Sequence, residues 1–189
     1  WLARLVANFD DPAVAGACCR NVHRPEARLL TRIFSENDRG YWQGRREVRI
    51  DDPDAYEELE PFARRAFCNF NDVASALRRE LWERHPFPRA EFGEDVLMAK
   101  ALLEAGFTIV YDDEVAVEHS HDYTPAQTFA RAAIDGRFNA EWFDHICVAS
   151  EKDARIQTRR QLEIDRRQLE ASGMSGGERK RELAYARQL

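Results

Sequence analysis

The sequence has few of the features that mark secreted, metal-cluster or membrane-spanning proteins. Its four cysteines, Cys18, Cys19, Cys68 and Cys147, have neither the spacing of a metal site nor that of a disulfide framework. No apolar run is long enough to cross a bilayer, and no signal peptide is recognisable. These absences favour a globular protein of a reducing compartment, and we predict a cytoplasmic location.

The chain also lacks an excess of positive charge. It has 28 Lys and Arg residues against 34 Asp and Glu residues, which gives a formal net charge of −6. Such a balance argues against general nucleic-acid binding. An arginine-rich stretch from Arg155 to Arg187 leaves open a module for a nucleic acid or a protein partner, but its alternating charges favour a solvent-exposed helix. We therefore predict no nucleic-acid partner.

What the chain does have is enough apolar material for a core. It is 189 residues long, 44% hydrophobic and 11% aromatic, values typical of one globular domain. It has no initiating methionine and starts inside an amphipathic pattern, "WLARLVANF", so we expect a piece of a longer protein. The strong charge of the C-terminal region predicts a boundary near Ala149, which separates residues 1–149 from a charged helical extension, residues 150–189.

Strand and helix patterns alternate along the first 149 residues, which predicts an α/β fold. Strands are predicted for Ala13–Cys19, Ala66–Phe70 and two short segments, "FTIVYDD" and "EVAVEHSH". The two segments flank an acidic turn, whose carboxylates, including Asp112, are interpreted as surface groups. Helices are predicted for the N-terminal segment, for Ser75–Arg84 and for "GEDVLMAKALLEAG", which Gly106 ends. The polar region from Asp38 to Pro61 is interpreted as a long loop or lid.

Two acidic residues, Glu94 and Asp95, begin the clearest of these helices. A carboxylate in the first turn of a helix is stabilised in its ionised form by the helix dipole and the free backbone N–H groups. An ionised carboxylate at the edge of a cleft can accept a proton from a hydroxyl nucleophile. The same pair can equally be a helix cap with no catalytic role.

Two histidines, His119 and His121, end the last predicted strand. Their spacing of two places both side chains on one face of an extended chain. Two imidazoles on one face can bind a divalent metal. A hydrogen-bonded histidine at the corner between strand and helix is the alternative.

The ordered set of motifs resembles the C-terminal half of the nucleotide-sugar domain of glycosyltransferase family 2, which has a GT-A fold. The order is "FCNFN", "ALRRELW", "PFPRAEFGED", the helix that ends in "LLEAGF", "TIVYDDEVAV" and "HSHDYT". The first residues, "WLARLVANFDDPAVAGACCR", are similar to the helix and strand after the metal-binding DXD motif of that family. The resemblance spans about Trp1 to Thr124, and "HSHDYT" is most similar to the bacterial rhamnosyltransferase-like branch.

The resemblance implies a role for each matching residue. Asp95 matches the catalytic base of inverting members, and Glu94 is its neighbour that orients the acceptor or the base. His119 matches a histidine that joins the DXD aspartate on the metal, with His121 as second choice. The residues matching the acceptor and donor side of the cleft are Asn69, Asn71, Arg78 and Arg79, of which Asn71 and Arg78 match best. Trp82 is interpreted as a packing residue, with stacking on a sugar ring of the acceptor or donor as the alternative.

The implied function is transfer of a sugar from a nucleoside-diphosphate sugar to a glycan or lipid-linked acceptor, with inversion and assisted by Mg²⁺ or Mn²⁺. Such a bacterial enzyme would serve polysaccharide biosynthesis for the cell envelope, and its acceptors allow peripheral association with the inner face of the membrane. The alternative is a non-catalytic glycan-binding or scaffold domain derived from the same fold.

The chain departs from the family pattern in its metal motif. Asp52-Pro53-Asp54 spells DXD, but it follows the first helix and strand, which is the wrong order for the fold. We expect the DXD partner upstream of residue 1, in a donor-binding half that this chain lacks, so this chain alone is expected to be inactive. Cys18-Cys19 also replaces the aromatic-glycine pair expected in the rhamnosyltransferase-like branch.

Overall fold

A computed structural model describes residues 1–33, 35 and 44–189 of the chain. Within these residues four strands form one mixed sheet, in the order β2-β4-β1-β3. The strands are β1 Val14–Val22, β2 Arg46–Val48, β3 Ser75–Leu77 and β4 Thr108–Glu118. The central strands β1 and β4 are parallel, and the outer strands pair antiparallel to them. The prediction of an α/β fold is confirmed, and this arrangement is compatible with part of a GT-A fold.

Helices lie before, between and after the strands in the chain. They are α1 Leu2–Ala7, α2 Pro53–Glu57, α3 Pro61–Phe67, α4 Arg79–Arg84, α5 Glu94–Glu104, α6 Pro125–Phe143, α7 Glu151–Ala171 and α8 Gly176–Ala186. A 3₁₀ turn at Asn8–Asp10 ends the first of them. Among the described residues, none of the helices combines the length and apolarity needed to span a bilayer.

The central strands are buried on both faces of the sheet. One face packs against α5, where Met98 and Leu102 contact the cluster that contains Cys18. The other face packs against α1, whose Leu5 is fully buried in a cluster with Cys19. A strand covered on both faces needs apolar or small side chains at successive positions. This explains why the run from Ala13 to Cys19 is almost free of polar residues.

Helix α5 has the boundaries that the sequence predicts. It begins at Glu94 and ends with a Schellman arrangement, in which Gly106 N–H donates to Leu103 O at 2.9 Å and Phe107 N–H to Leu102 O at 3.0 Å. Gly106 has φ = +85°, a conformation that favours glycine. The chain then enters β4 directly, so the N-terminus of α5 lies at the C-terminal edge of the parallel strands.

Three predictions about secondary structure were wrong. Residues 66–70 form no strand, because α3 occupies Pro61–Phe67, and the segment predicted as one helix, Ser75–Arg84, begins as strand β3. The predicted loop from Asp38 to Pro61 lies in part outside the described residues, and its remainder contains β2 and α2. Pairing with the edge of β4 creates β2, a long-range contact that no local pattern reveals.

The two strands predicted after α5 are a single strand, β4. The acidic turn predicted between them is a register shift, because Cys19 pairs with Asp112 whereas the next residue, Arg20, pairs with Ala116. Asp112 was interpreted as a surface group, but its side chain is only 2% exposed and accepts a hydrogen bond from Asn8 Nδ2 at 3.0 Å. The Asp112 carboxylate is therefore hydrogen-bonded to a buried asparagine, Asn8, where the sequence predicts solvent.

The C-terminal helices pack against the domain. Leu169 of α7 is fully buried in a cluster with Leu30 and Ala186. The interpretation of residues 150–189 as a solvated appendage was therefore wrong for this face of the helices. The domain boundary near Ala149 remains a prediction.

Candidate functional site

The N-terminus of α5 presents the acidic pair at the C-terminal edge of β1 and β4. Gly93 precedes the helix with φ = +73°, in the left-handed region. A Cβ atom on Gly93 would lie 2.4 Å from the ring of Phe138 in α6. The positive φ and the short distance to Phe138 each require a glycine at this position. Gly93 therefore lets α6 pack directly against the start of α5, the helix that carries Asp95.

Asp95 is partly buried, and burial raises the pKa of its carboxyl group above the ordinary value. A hydrogen bond from Val96 N–H to Asp95 Oδ1, 2.8 Å long, acts in the opposite direction. The negative charges of Asp72 and Glu94 raise the pKa further, and the positive charge of Arg65 lowers it. The direction is opposite to the one that the helix dipole alone predicts, because desolvation outweighs the N–H groups. A raised pKa suits a general base.

Arg65 is the residue of this site that the sequence analysis missed. Its guanidinium lies 5.8 Å from the ring centroid of Phe138 and 5.9 Å from that of Phe143. Burial lowers the pKa of Arg65, while the charges of Asp135 and Asp95 raise it. The positive charge of this partly buried arginine favours the ionised form of Asp95. The sequence signal was weak, because Arg64-Arg65 lies in a segment predicted to enter a strand.

The two predicted asparagines lie at the same edge of the sheet. Asn71 Nδ2 donates to the carbonyl oxygen of Cys19 at 3.1 Å, which ties the segment before β3 to β1. Asn69 Oδ1 accepts a hydrogen bond from Arg65 at 3.4 Å. The structure therefore brings Asn69 and Asn71 into the neighbourhood of Asp95. Cys18, whose pKa burial raises to about 12, receives a hydrogen bond from the backbone of Asn71.

Several buried polar atoms at this edge have no hydrogen-bond partner among the described residues. They are Arg20 Nε, Asn21 Oδ1, Arg65 Nε and Asn71 Oδ1. Such atoms are rare in native structures, since each one left unpaired costs free energy. Their concentration near the C-terminal end of β1 is what a binding site for a polar ligand would show.

The predicted binding residues Arg78, Arg79 and Trp82 lie at the opposite edge of the sheet. The Arg78 side chain donates to three backbone oxygens at 3.0 Å each, those of Phe9, Asp11 and Val14. The backbone N–H of Arg78 also bonds to Ala15 O, at the start of β1. This geometry ties β1, β3 and the 3₁₀ turn together and supports a structural role for Arg78.

The neighbours of Arg78 face solvent. The side chain of Arg79 is 87% exposed and pairs with Glu83 within the same helix at 2.9 Å. Trp82 is 43% exposed. The structure does not bring these two residues to the edge that carries Asp95.

The two histidines converge, as their spacing predicts. His119 Nε2 lies 3.1 Å from His121 Nε2, and the two ring centroids are 4.6 Å apart. The His119 backbone N–H donates to Val22 O at 2.8 Å, which places the pair beyond the end of β1. Burial, His121 and Arg24 all lower the pKa of His119, so its ring is neutral at physiological pH.

Two imidazoles whose Nε2 atoms converge fit two ligand positions of a divalent metal. Among the described residues, no third His, Cys, Asp or Glu side chain completes a cluster with them. The nearby Asp122 is engaged by Arg28 N–H and by the Thr31 hydroxyl. The pair therefore fits part of a metal site, and the remaining ligands would come from elsewhere.

A cavity of about 240 Å³ is lined by residues before α5 and by one face of α6. Its lining combines an aromatic side chain that is 43% exposed, Trp142, with the charged groups of Arg89, Glu91, Arg137 and Glu141. Phe138 lines the cavity and also contacts Gly93. The cavity therefore opens next to the start of α5.

The chain is similar to two curated proteins. It is 41% identical over 141 residues to the O-antigen chain rhamnosyltransferase WbaN of Salmonella anatum, and 27% identical over 143 residues to the O-antigen chain rhamnosyltransferase RfbN of Salmonella typhimurium (strain LT2). Each match covers 74% of this chain and 42% of the relative. The chain thus spans less than half the length of the curated relatives it matches.

Two further comparisons gave no match. No family model matches the sequence, and no solved structure is similar to the chain at a significant level. The relationship therefore rests on the two rhamnosyltransferases, and the predicted kinship with rhamnosyltransferase-like glycosyltransferases is confirmed.

Proposed function

Because the chain is homologous to rhamnosyltransferase-like glycosyltransferases, we propose that it is the acceptor and catalytic-base part of an inverting glycosyltransferase. The reaction is transfer of a sugar from a nucleoside-diphosphate sugar to a glycan or lipid-linked acceptor in polysaccharide biosynthesis. The first half of the GT-A domain, with the nucleotide-binding strands and the DXD motif, would precede residue 1. The site would act in the cytoplasm, at the inner face of the membrane where lipid-linked acceptors are found.

One observation carries the proposal more than any other. Asp95 is a partly buried carboxylate at a helix start, with a raised pKa and a cationic neighbour, Arg65. It lies at the sheet edge where buried polar atoms have no partner among the described residues. A carboxylate whose pKa is shifted by desolvation and by a specific charge partner is a candidate for proton transfer.

In the proposed reaction, the acceptor hydroxyl oxygen attacks the anomeric carbon from the face opposite the diphosphate. The new carbon–oxygen bond forms as the bond to the diphosphate breaks, and the nucleoside diphosphate leaves with the electron pair. Asp95 takes the hydroxyl proton as general base. Glu94 orients the acceptor or the base, and Asn69 and Asn71 offer amide groups to sugar hydroxyls. The positive charge of Arg65 opposes part of the rise in the pKa of Asp95.

The metal in this proposal is Mg²⁺ or Mn²⁺. His119 and, second, His121 would supply imidazole ligands, together with the expected upstream DXD aspartate. When bound, the metal would stabilise the negative charge of the departing diphosphate. His119 has a lowered pKa, so its ring is deprotonated and able to bind a cation at neutral pH.

The proposed base is tested by Asp95→Asn in an active protein that contains this chain. Removing a general base should lower kcat by about 10²–10⁴-fold with donor affinity nearly unchanged. In the unsubstituted protein, the rate should rise with pH through a pKa above the usual range of aspartate, because burial raises the pKa of Asp95. Steady-state kinetics over a range of pH, with donor binding by calorimetry, measure both effects.

The control is Asp54→Asn, in the second aspartate of the rejected Asp52-Pro53-Asp54 sequence. Asp52 caps α2 by accepting hydrogen bonds from the backbone of Asp54 and Ala55, so this segment has a local structural function. Asp54→Asn should leave kcat within about twofold, as for an exposed surface substitution. Turnover of Asp95→Asn at the unsubstituted rate would remove Asp95 as base. Glycan binding without donor binding or turnover in the unsubstituted protein would favour the glycan-binding or scaffold alternative.

The proposed metal role is tested separately by His119→Ala. Loss of one imidazole ligand should raise the Mn²⁺ concentration for half-maximal activity by about 10–100-fold. His121→Ala, measured in parallel, shows which ring is the more important ligand. An unchanged metal dependence in both variants would exclude the histidine pair from the metal site.

A further inference from the structure

The segment of residues 119–124, which carries His119 and His121, is held by hydrogen bonds from two parts of the chain. Arg24 holds its start, since Arg24 NH2 donates to Ser120 O at 2.6 Å and Arg24 N–H to Ser120 Oγ at 3.1 Å. Asp122 accepts hydrogen bonds from Arg28 N–H at 3.1 Å and from the Thr31 hydroxyl at 2.6 Å. We call residues 119–124 the histidine segment. It is therefore tied to the chain that follows β1.

The third attachment comes from the C-terminal helix α8. The hydroxyl group of Tyr185 donates a hydrogen bond to the backbone oxygen of Tyr123. The ring of Tyr185 also receives the guanidinium of Arg28, whose Cζ lies 3.8 Å from the ring centroid. One side chain near the end of the chain thus contacts both the histidine segment and a residue that holds it.

The attachment is transmitted to the histidines by stacking. The rings of His121 and Tyr123 are stacked, with centroids 5.2 Å apart and an interplanar angle of 14°. The same His121 ring is in edge contact with His119. Tyr185 fixes the backbone of Tyr123, Tyr123 fixes the ring of His121, and the two Nε2 atoms converge.

Apolar contacts hold helix α8, which carries Tyr185, against the rest of the chain. Leu169 of α7 and Ala186 of α8 are buried against Leu30, which follows β1 in the chain. Helix α8 is itself well defined, since Ser175 and Glu178 form a capping box at its start. The helical pair α7–α8 therefore holds Tyr185 at a fixed distance from the histidine segment.

We propose that Tyr185 is a positioning residue, through which the C-terminal helices set the geometry of the His119–His121 pair. No part of the resemblance to known glycosyltransferases assigns a function to this region of the chain. The consequence for catalysis rests on the proposed function, whereas the positioning itself does not. Residues 150–189 are, on this proposal, part of the site.

The positioning is tested with Tyr185→Phe, which removes the hydroxyl group but keeps the ring over which Arg28 lies. Stacking on Tyr123 should shift the Cε1–H resonance of His121 upfield, and we expect Tyr185→Phe to move this resonance toward its position in the unfolded chain. The spectra are recorded at one fixed pH of about 8.5, above the usual histidine pKa, so that the rings stay neutral. Hydrogen exchange at the amides of residues 121–124 should accelerate by about three- to tenfold, as one net hydrogen bond predicts.

The matched control is Lys180→Ala, on an exposed part of the same helix. It should leave both the resonance and the exchange rates unchanged. The proposal is overturned if Tyr185→Phe gives the same spectrum and exchange as Lys180→Ala. If Tyr185→Phe unfolds α8, hydrogen exchange will accelerate along the whole helix. In that case Arg28→Lys is used instead, because it removes the guanidinium that lies over the Tyr185 ring. It should shift the same His121 resonance.

A kinetic readout separates this proposal from the proposed function. In an active protein that contains this chain, Tyr185→Phe should lower kcat by about threefold to tenfold, the effect of one hydrogen bond, with an unchanged KM for the acceptor. A shifted His121 resonance with unchanged kcat would leave the positioning intact and reject the catalytic function of the histidine pair. An unchanged resonance would reject the positioning, whatever the kinetics show.

Discussion

At the scale of single residues, Asp95 shows how burial and neighbouring charges determine the use of a carboxylate. The start of a helix stabilises the ionised form, but desolvation is the larger effect and raises the pKa. The positive charge of Arg65 opposes part of this rise. The sequence shows the helix start and cannot show the desolvation.

Gly93 is the residue whose substitution tests the start of α5 most directly. We predict that Gly93→Ala destabilises the domain by about 2–4 kcal/mol, because the new Cβ would be 2.4 Å from the Phe138 ring and φ is +73°. Gly173→Ala is the matched control, since Gly173 has φ = +72° and no atom of the described residues lies within 4 Å of the added Cβ. It should cost only about 1 kcal/mol. Equal losses in urea unfolding would show that the contact with Phe138 is unimportant.

At the scale of secondary-structure elements, the central feature is the parallel pair of strands β1 and β4, with α5 immediately before β4 in the chain. Helix α5 returns the chain to β4, so the acidic pair lies at the C-terminal edge and the Gly106 turn at the N-terminal edge. This polarity separates Asp95 from Arg78, although both came from motifs predicted to line one cleft. The order of motifs along the chain does not reveal which edge of the sheet each one reaches.

Arg78 is predicted to stabilise the junction of elements rather than to bind a ligand. Arg78→Lys should lower the free energy of unfolding by about 1.5–3 kcal/mol, because a single ammonium group cannot reach the three carbonyl oxygens that the guanidinium bonds. Arg79→Lys, one residue away and exposed, should change it by less than about 0.5 kcal/mol. Chemical denaturation measures both. A stable Arg78→Lys protein with weakened donor binding would restore the binding interpretation.

At the scale of the whole molecule, the C-terminal helices join the segment after β1 to the histidine segment. Leu169, with none of its surface exposed, lies in this contact. The charged composition of α7 conceals this contact. A helix that buries only one face needs few apolar residues, and the rest of its surface is polar. The helices are therefore partly a docked element, although their sequence is typical of a solvated one.

Leu169→Ala measures how firmly these helices are docked. We predict a loss of about 2–5 kcal/mol in the stability of the C-terminal contact, the usual cost of truncating a fully buried leucine. Ile156→Ala on the same helix, where the side chain is 54% exposed, should cost less than about 0.5 kcal/mol. Hydrogen exchange in α7 and α8, followed with urea unfolding, gives the comparison. Equal, small effects would mean that the helices are solvated on all sides.

The sequence by itself determined the local features of this protein: the α/β class, the boundaries of α5, the stop at Gly106 and the shared face of the two histidines. Each depends on periodicity, capping or backbone conformation within a few residues. The tertiary structure alone decided which of these features meet. It placed Arg65 where its charge acts on Asp95, Arg78 at the far edge and Tyr185 against Tyr123. Contacts between residues distant in sequence depend on strand pairing and helix packing, which no local pattern encodes.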